Sequence, residues 1–325
     1  MAEELRVGVT GAAGFIGSNF VKWLIQNTAS HVLALDNLST GSRENLAGIN
    51  SERLAFKQVD ITNLLQTLEA LDGLDVVFHL AAETHVDNSI ENPLPFLHTN
   101  VLGTFNVLEC ARKFKFHLHH VSTDEVFGDL GEFDAPFTEE SKYRPSSPYS
   151  ATKAASDHLV RAWIRTYGIR ATLSNCSNNY GPNQNPEKFI PRQFSLLLGG
   201  RKIELYGDGS QLRDWIHVDD HSEAMWSIYK KGAIGETYLI GSGQEISNLD
   251  MAKLILEVAG HPLTDLKFIE DRKGHDYRYS IDPSKALSEL DWAPKRRVIK
   301  EELAVIWNQI SSKRNTSNSM VATQK

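Results

Sequence analysis

The chain has 325 residues, 41% of them hydrophobic and 23% charged, which is the balance of an ordinary globular protein long enough for two cores. A net charge of −7 argues against a general nucleic-acid binder, and two cysteines, Cys110 and Cys176, are too few for a disulfide framework and wrongly spaced for zinc. The start, Met1-Ala2-Glu3-Glu4, is acidic where a secretory signal is basic, and no apolar run approaches the roughly 18 residues of a membrane span, so a cytoplasmic protein is expected.

Leu5 to Thr10 reads as a buried strand, mostly β-branched. It runs into Gly11-Ala12-Ala13-Gly14-Phe15-Ile16-Gly17 and then a helical pattern through Phe20, Trp23, Leu24 and Ile25. Glycines let a backbone turn tightly and approach a pyrophosphate, whose charge then sits on the helix N-terminus. The spacing is G-x-x-G-x-x-G, not G-x-G-x-x-G, and any tight strand-to-helix turn would use glycines too. The next strand, His31 to Leu35, ends in Asp36, about 20 residues beyond the glycines, where an acid binds the adenosine ribose and repels a 2′-phosphate. That favours NAD over NADP; capping the turn from Asn37 to Gly41 is the alternative use of Asp36.

Strand-like runs at Leu54 to Val59 and Asp75 to Leu80 flank a helical stretch with Leu64, Leu65, Leu68 and Leu71 on one face. Such alternation predicts an α/β fold with a doubly wound parallel sheet. Ala81 and Ala82, at a strand's end, leave room for a flat cofactor or for close helix packing. Phe96 to Phe114 is helical in pattern. His117, His119 and His120 precede the next strand's end, but alternation separates them and no acid or cysteine cluster completes a metal site. That strand ends in Ser122-Thr123-Asp124-Glu125, where one carboxylic acid can stay protonated while its neighbour stays ionised; the same residues would also simply start a helix. Tyr149 and Lys153 share a helix face one turn apart, and a cation near a phenol lowers its pKa.

Together the glycine turn, Asp36, the Ser122/Thr123 position, Tyr149 and Lys153 resemble the extended short-chain dehydrogenase/reductases that act on nucleotide sugars. The stretch Ser122 to Gly128 resembles the nucleotide-sugar 4,6-dehydratases among them, closest to those acting on dTDP-glucose; epimerases and decarboxylases of the superfamily generally lack the Asp-Glu pair. Phe127 and Lys273 depart from the family's usual Tyr and Pro without removing a chemical group. The resemblance runs from Val7 to Ile306 and implies a Rossmann-type doubly wound sheet with a smaller, interleaved C-terminal substrate lobe. Residues 1–175 with about 214–240 are expected to form the NAD-binding domain, 176–213 and 241–310 the nucleotide-sugar lobe, and 311–325 a disordered tail.

The implied reaction is an internal hydride transfer from C4 to C6 of a nucleoside-diphosphate glucose, giving a 4-keto-6-deoxy sugar. Tyr149, ionised with help from Lys153 and the nicotinamide charge, takes the 4-hydroxyl proton; Thr123 orients the 4-oxygen; Glu125 removes the C5 proton; Asp124 protonates the departing 6-hydroxyl. The implied NAD shell comprises Gly11, Gly14, Phe15, Ile16, Gly17, Asp36, Asn37, Leu38 and Ser39, then Asp60, Ile61, Leu80, Ala81, Ala82, Thr99 and Asn179, with Tyr149 and Lys153. The implied substrate contacts are Thr84, Thr123, Asn178, Lys188 and Phe189, then Glu204, Tyr206, Arg213, Asn248, Asp271, Arg272 and His275. A homodimer and no metal, nucleic-acid or membrane partner complete the expectation. Whether dTDP, UDP or CDP carries the sugar stays open.

Overall fold

The computed structural model describes residues 4–271 and 275–322, with side chains as far as Ser312. In chain order, the first half alternates β1 (Arg6–Thr10), α1 (Phe15–Asn27), β2 (His31–Asp36), β3 (Leu54–Gln58), α2 (Leu64–Leu71), β4 (Val76–His79), α3 (Val86–Glu91), α4 (Leu94–Phe96), α5 (Thr104–Phe114), β5 (His117–Thr123), α6 (Pro148–Tyr167) and β6 (Ala171–Cys176). The second half carries β7 (Asn178–Tyr180), α7 (Phe189–Leu198), β8 (Ile203–Tyr206), β9 (Leu212–His217), α8 (Val218–Lys231), β10 (Thr237–Ile240), β11 (Glu245–Ser247), α9 (Asn248–Ala259), β12 (Leu266–Ile269), β13 (Arg278–Tyr279), α10 (Ser284–Glu289) and α11 (Ile299–Ala322).

Seven parallel strands form the main sheet in the order β10-β6-β5-β4-β1-β2-β3, the doubly wound Rossmann arrangement. Strand order reverses at β1 and β4, so a crevice opens there beyond the strands' C-terminal ends. Helices cover both faces, which is why β4, β5 and β6 are buried at every residue and β1 and β2 at all but a few. On one face Phe20, Val21 and Leu24 of α1 join Met225 of α8; on the other, Val107 and Leu108 of α5 join Val160 of α6. A second sheet holds β9 between β11 and β13, with β7 also paired to it, and β8 pairs with β12.

Three boundaries differ from expectation. The chain returns to the main lobe with α8 at Val218, since Asp214 to His217 belong to β9. Ala286, Leu290 and Trp292 pack with Ile228 and Tyr238, so α10 is joined to α8 and β10 rather than to the small lobe's core. The polar stretch from Ser311, expected to be disordered, continues α11 as far as Ala322. Ile299, Leu303 and Ile306 anchor the start of that helix in the small-lobe core, and propagation from an anchored segment adds one bond per residue without a new nucleus. Residues 323–325 lie outside the described residues.

The helical pattern expected from Phe96 to Phe114 holds, but Leu97–Gly103 takes the wider π form. The extra width brings the Asn100 amide against the β4 exit, where it accepts from Glu83 N at 2.8 Å, donates to Glu83 O at 3.0 Å and reaches the Thr152 hydroxyl at 2.9 Å.

Candidate active site

The glycine turn is shaped by contacts that admit no side chain. Gly11 has φ +69°, and a Cβ there would lie 2.7 Å from Ala81 N; a Cβ on Gly17 would lie 2.0 Å from Gly11 O. Gly14 caps α1 without a side-chain bond, so the first-turn amides of that helix are left for an anion. At the end of β2, Asp36 is buried and accepts from Ala13 N at 2.9 Å and Leu38 N at 2.8 Å, tying its carboxylate to both loops.

A cavity of about 560 Å³ opens along this edge. Gly11, Gly14, Phe15, Ile16, Gly17, Asp36, Asn37 and Ser39 line one end, with Ile61, Leu80, Ala81, Ala82 and Thr99 beside them. Thr84, Thr123, Asp124, Glu125, Tyr149, Lys153, Asn178, Asn179 and Lys188 line the other end. Two expected cofactor residues stand back from it. Leu38, in the left-handed region at φ +64°, contributes its amide to Asp36, and Asp60 accepts from Thr62 beside a shallow depression shared with Asn37, Gln58 and Gln66. The residues present fit a dinucleotide: a glycine cradle, a helix start with free amides and an acid at the next strand's end.

The chemical end is built by β5 and α6. Thr123 ends β5 and caps the short turn Asp124–Phe127, its Oγ1 accepting from Glu125 N at 3.3 Å and donating to Asp124 Oδ1 at 3.2 Å. Ser147 and Ser150 form a reciprocal capping box at the start of α6, with Pro148 in the first turn, which fixes where Tyr149 and Lys153 emerge. Burial, reinforced by the Glu125 carboxylate, holds the Asp124 carboxyl well above its usual range. Asp124 Oδ2 is buried with no hydrogen-bond partner among the described residues. Side by side stand a buried carboxyl that holds its proton more tightly than usual and the half-buried carboxyl group of Glu125.

Burial, then the Glu125 carboxylate, likewise pushes the Tyr149 phenol well above its ordinary value, with the Thr123 hydroxyl pulling the other way. The Lys153 ammonium donates to Val121 O at 2.8 Å, and burial draws its own pKa down. The helix puts both groups on one face, but the ammonium is turned to the β5 backbone.

The remaining substrate residues divide into two sets. Asn248 Nδ2 donates to Gln211 Oε1 at 3.4 Å, Gln211 Nε2 to Asp271 Oδ2 at 3.3 Å, and Asp271 Oδ1 meets His275 Nδ1 at 2.6 Å, with the Tyr206 ring 6.1 Å from the imidazole. Arg213 holds the carbonyls of Leu212, Asp276 and Tyr277 and lies 4.3 Å over the Tyr279 ring. The first four expected residues thus form one cluster on the small lobe, off the cavity wall, while Arg213, also off that wall, is near enough to act on the Asp124 carboxyl. Phe189 instead packs toward Trp215, its ring 6.3 Å away, and Glu204 is held by Arg192 at 3.0 Å and Arg201 at 3.3 Å. Neither is on the cavity wall. Arg272 lies outside the described residues. The three histidines of β5 each have a partner, His117 and His119 on Thr172 of β6 and His120 on Asp157 of α6.

The family model described as GDP-mannose 4,6 dehydratase matches residues 9–302. The dTDP-glucose 4,6-dehydratase of Mycolicibacterium smegmatis is 54% identical over 295 residues, which cover 90% of this chain and 88% of the relative. The chain belongs to the dTDP-glucose 4,6-dehydratase family. Another member, dTDP-glucose 4,6-dehydratase 1 of Escherichia coli K12, is 43% identical over 320 residues, covering 90% and 89% of the two chains. Among solved structures, the family member DesIV of Streptomyces venezuelae, with NAD and TYD bound, matches with a TM-score of 0.92 and 40% identity over 96% of this chain and 98% of that one. A UDP-N-acetylglucosamine 4-epimerase of Methanobrevibacter ruminantium shares the fold at a TM-score of 0.88 and 27% identity, over 96% and 99% of the chains.

The cavity wall also includes residues outside the expected site set. Cys176 ends β6 and Ser177 follows it, Gln184 sits in the loop beyond β7, and Ile306 and Gln309 come from α11. Gln309 Nε2 donates to Asn183 Oδ1 at 3.0 Å across 126 residues of sequence, a pairing that periodicity does not reveal.

Proposed function

We propose that this chain dehydrates dTDP-glucose to its 4-keto-6-deoxy product with NAD as the internal hydride carrier. The observation that carries the reading is the buried Asp124 carboxyl beside Glu125, at the strand end that Tyr149 and Thr123 also face. A redox step alone needs only the tyrosine; two differently protonated acids serve the loss of water from C5 and C6.

When bound, NAD supplies the hydride acceptor at C4, the hydride for C6 and, in its oxidised form, a positive charge; Gly11, Gly14, Gly17 and Asp36 would hold it. Tyr149 needs such a charge, because burial keeps its phenol protonated in the protein's own field. As phenolate it takes the proton of the sugar's 4-hydroxyl while Thr123 holds that oxygen. Oxidation at C4 acidifies the C5 hydrogen, which Glu125 removes. Asp124 gives its proton to the 6-hydroxyl, which departs as water, and Glu125 can return the C5 proton after reduction at C6. Tyr206, Asn248, Asp271 and His275 are proposed for the nucleotide end, with Arg213 opposite the phosphates, since a guanidinium fork suits their oxygens.

No helix of the described residues is long and apolar enough to cross a membrane. Two buried free thiols suit a reducing compartment, and we include a cytoplasmic location in the reading, without nucleic acid as partner at a net charge of −7. A homodimer is also included, because Ile90, Leu94, Leu97 and Leu102 stay 44–56% exposed along the segment before α5.

The test incubates the protein and NAD with dTDP-, UDP- and CDP-glucose and analyses products by mass spectrometry. The reading expects a product lighter by one water, formed fastest from the dTDP sugar, with no net NADH. A C4 epimer, released carbon dioxide or no product at all would sink it.

A further inference from the structure

Asp157 sits one helical turn beyond Lys153 on α6, with no exposed surface, and the chemistry above does not use it. A buried carboxylate is costly unless its oxygens are satisfied, and here they are. Oδ1 accepts from His120 Nε2 at 3.1 Å; Oδ2 accepts from the Tyr143 hydroxyl at 2.9 Å and from Asn175 Nδ2 at 3.1 Å. Arg161 in turn donates to the Tyr143 oxygen at 2.9 Å.

Two of these links lead to the active site. The Asn175 amide that donates to Asp157 also donates to the main-chain carbonyl of Thr123 at 3.0 Å, so the residue that caps the Asp124–Glu125 turn is tied to the carboxylate through one side chain. Along the helix, Asp157 is the strongest influence opposing the effect of burial on the Lys153 ammonium. Burial, then Lys153, holds the His120 imidazole below the usual range, with the bond to Asp157 pulling the other way. Burial by itself would raise the Asp157 carboxyl, and the bond and charge of His120, then the Lys153 charge, leave it lowered instead. A network serving only sheet–helix packing would not need to reach the backbone of the acid–base turn.

We propose that Asp157 is a positioning residue for the dehydratase reaction, fixing through Asn175 the backbone that presents Thr123, Asp124 and Glu125, and supplying the buried counter-charge to Lys153. This rests on the dehydratase reading. The groups facing the pair are His79 from β4, His120 from β5, Tyr143 from the loop before α6, Arg161 on α6 and Cys176 from β6. Burial lowers both imidazoles, raises the Tyr143 phenol and pushes the Cys176 thiol up to about 12. Asp157 opposes the effect of burial on Lys153, so removing it lets Lys153 lose its proton at lower pH than in the wild type.

The experiment compares wild type, Asp157→Asn, Asn175→Ala and Tyr143→Phe for kcat, KM and the pH profile of kcat, with thermal unfolding confirming the fold. Asp157→Asn keeps the volume but loses the charge, and its amide hydrogens oppose those of Asn175 and His120. Its kcat should fall by about 10–100-fold, the scale of a small misplacement of catalytic groups, with KM for dTDP-glucose within about threefold. The alkaline limb should move to lower pH while the acid limb stays. Asn175→Ala should lose about tenfold in kcat with the alkaline limb unmoved, because it cuts the tie and leaves the charge. Tyr143→Phe removes a bond to the same carboxylate but neither link, and should stay within about threefold of wild type. A folded Asp157→Asn with wild-type kcat and an unmoved alkaline limb overturns the proposal, and so does Asn175→Ala with wild-type kcat. If Asp157→Asn does not fold, Asn175→Ala decides the matter. A wild-type protein that makes no 4-keto-6-deoxy product overturns the reading itself and the proposal with it.

Discussion

At the scale of single residues, the two acids of the Asp124–Glu125 pair carry opposite demands. Glu125 acts only when ionised, and replacing it with Gln keeps the shape while removing the base. Glu125→Gln should cut product formation by about 100–10,000-fold, the usual worth of a positioned acid or base, while dTDP-glucose oxidation at C4 persists as a rise in bound NADH fluorescence. Turnover at the wild-type rate would show that another group takes the C5 proton. Asp124 has the reverse problem, because it must keep a proton in a place where burial and a neighbouring carboxylate punish its charged form. Its folded pKa lies above the unfolded one, so the folded state binds the proton more tightly. The stability this contributes is fully present below the unfolded pKa and is lost as pH rises through the folded value. Asp124→Asn removes that dependence. The variant should be inactive yet unfold at a higher temperature than wild type at pH 8, with the gap narrowing toward pH 4. A variant less stable than wild type at pH 8 would show that the carboxyl is not held under strain.

At the scale of elements, the glycine turn shows why part of this structure could be read from sequence. Gly17 is required because a methyl group would meet the Gly11 carbonyl, a contact the backbone must open to relieve. Gly17→Ala should cost about 1–3 kcal/mol of stability and weaken NAD binding about tenfold or more, measured by calorimetry. Gly48→Ala, where nothing lies within 4 Å, should change neither quantity. Strands β1 to β5 are legible for a related reason: a parallel sheet covered on both faces favours apolar runs, and each run ends where the crevice begins; β6, with Thr172, Ser174 and Asn175 among its six residues, carries no such run and was not legible. The acid pair and the Tyr149/Lys153 spacing were legible because both lie within one local element. The small lobe was not. Its strands are as short as Arg278–Tyr279, its hydrogen-bonded cluster depends on Gln211, which belongs to no motif, and the contribution of α11 to the cavity depends on pairings across the whole chain. The target of the Lys153 ammonium was also hidden, because helical spacing fixes the face of a side chain and not which acceptor its end reaches.

At the scale of the whole molecule, the segment before α5 poses a question of its own. Phe96 is buried against Tyr149, ring to ring at 6.4 Å, while Leu94 and Leu97 on either side of it are 56% and 49% exposed, and Ile90 and Leu102 extend the patch. A second copy covering this surface by two-fold symmetry would bury it and brace the same helices that carry Thr99, Tyr149 and Lys153. Association would then act on the active site through Phe96. Leu97→Glu combined with Leu102→Glu should convert a dimer to a monomer in light scattering, since a charge facing its symmetry copy repels it. The monomer should also lose turnover, because Tyr149 would lose its braced support while every catalytic group remained present. A double variant that stays dimeric would place the interface elsewhere, and a fully active monomer would separate assembly from catalysis.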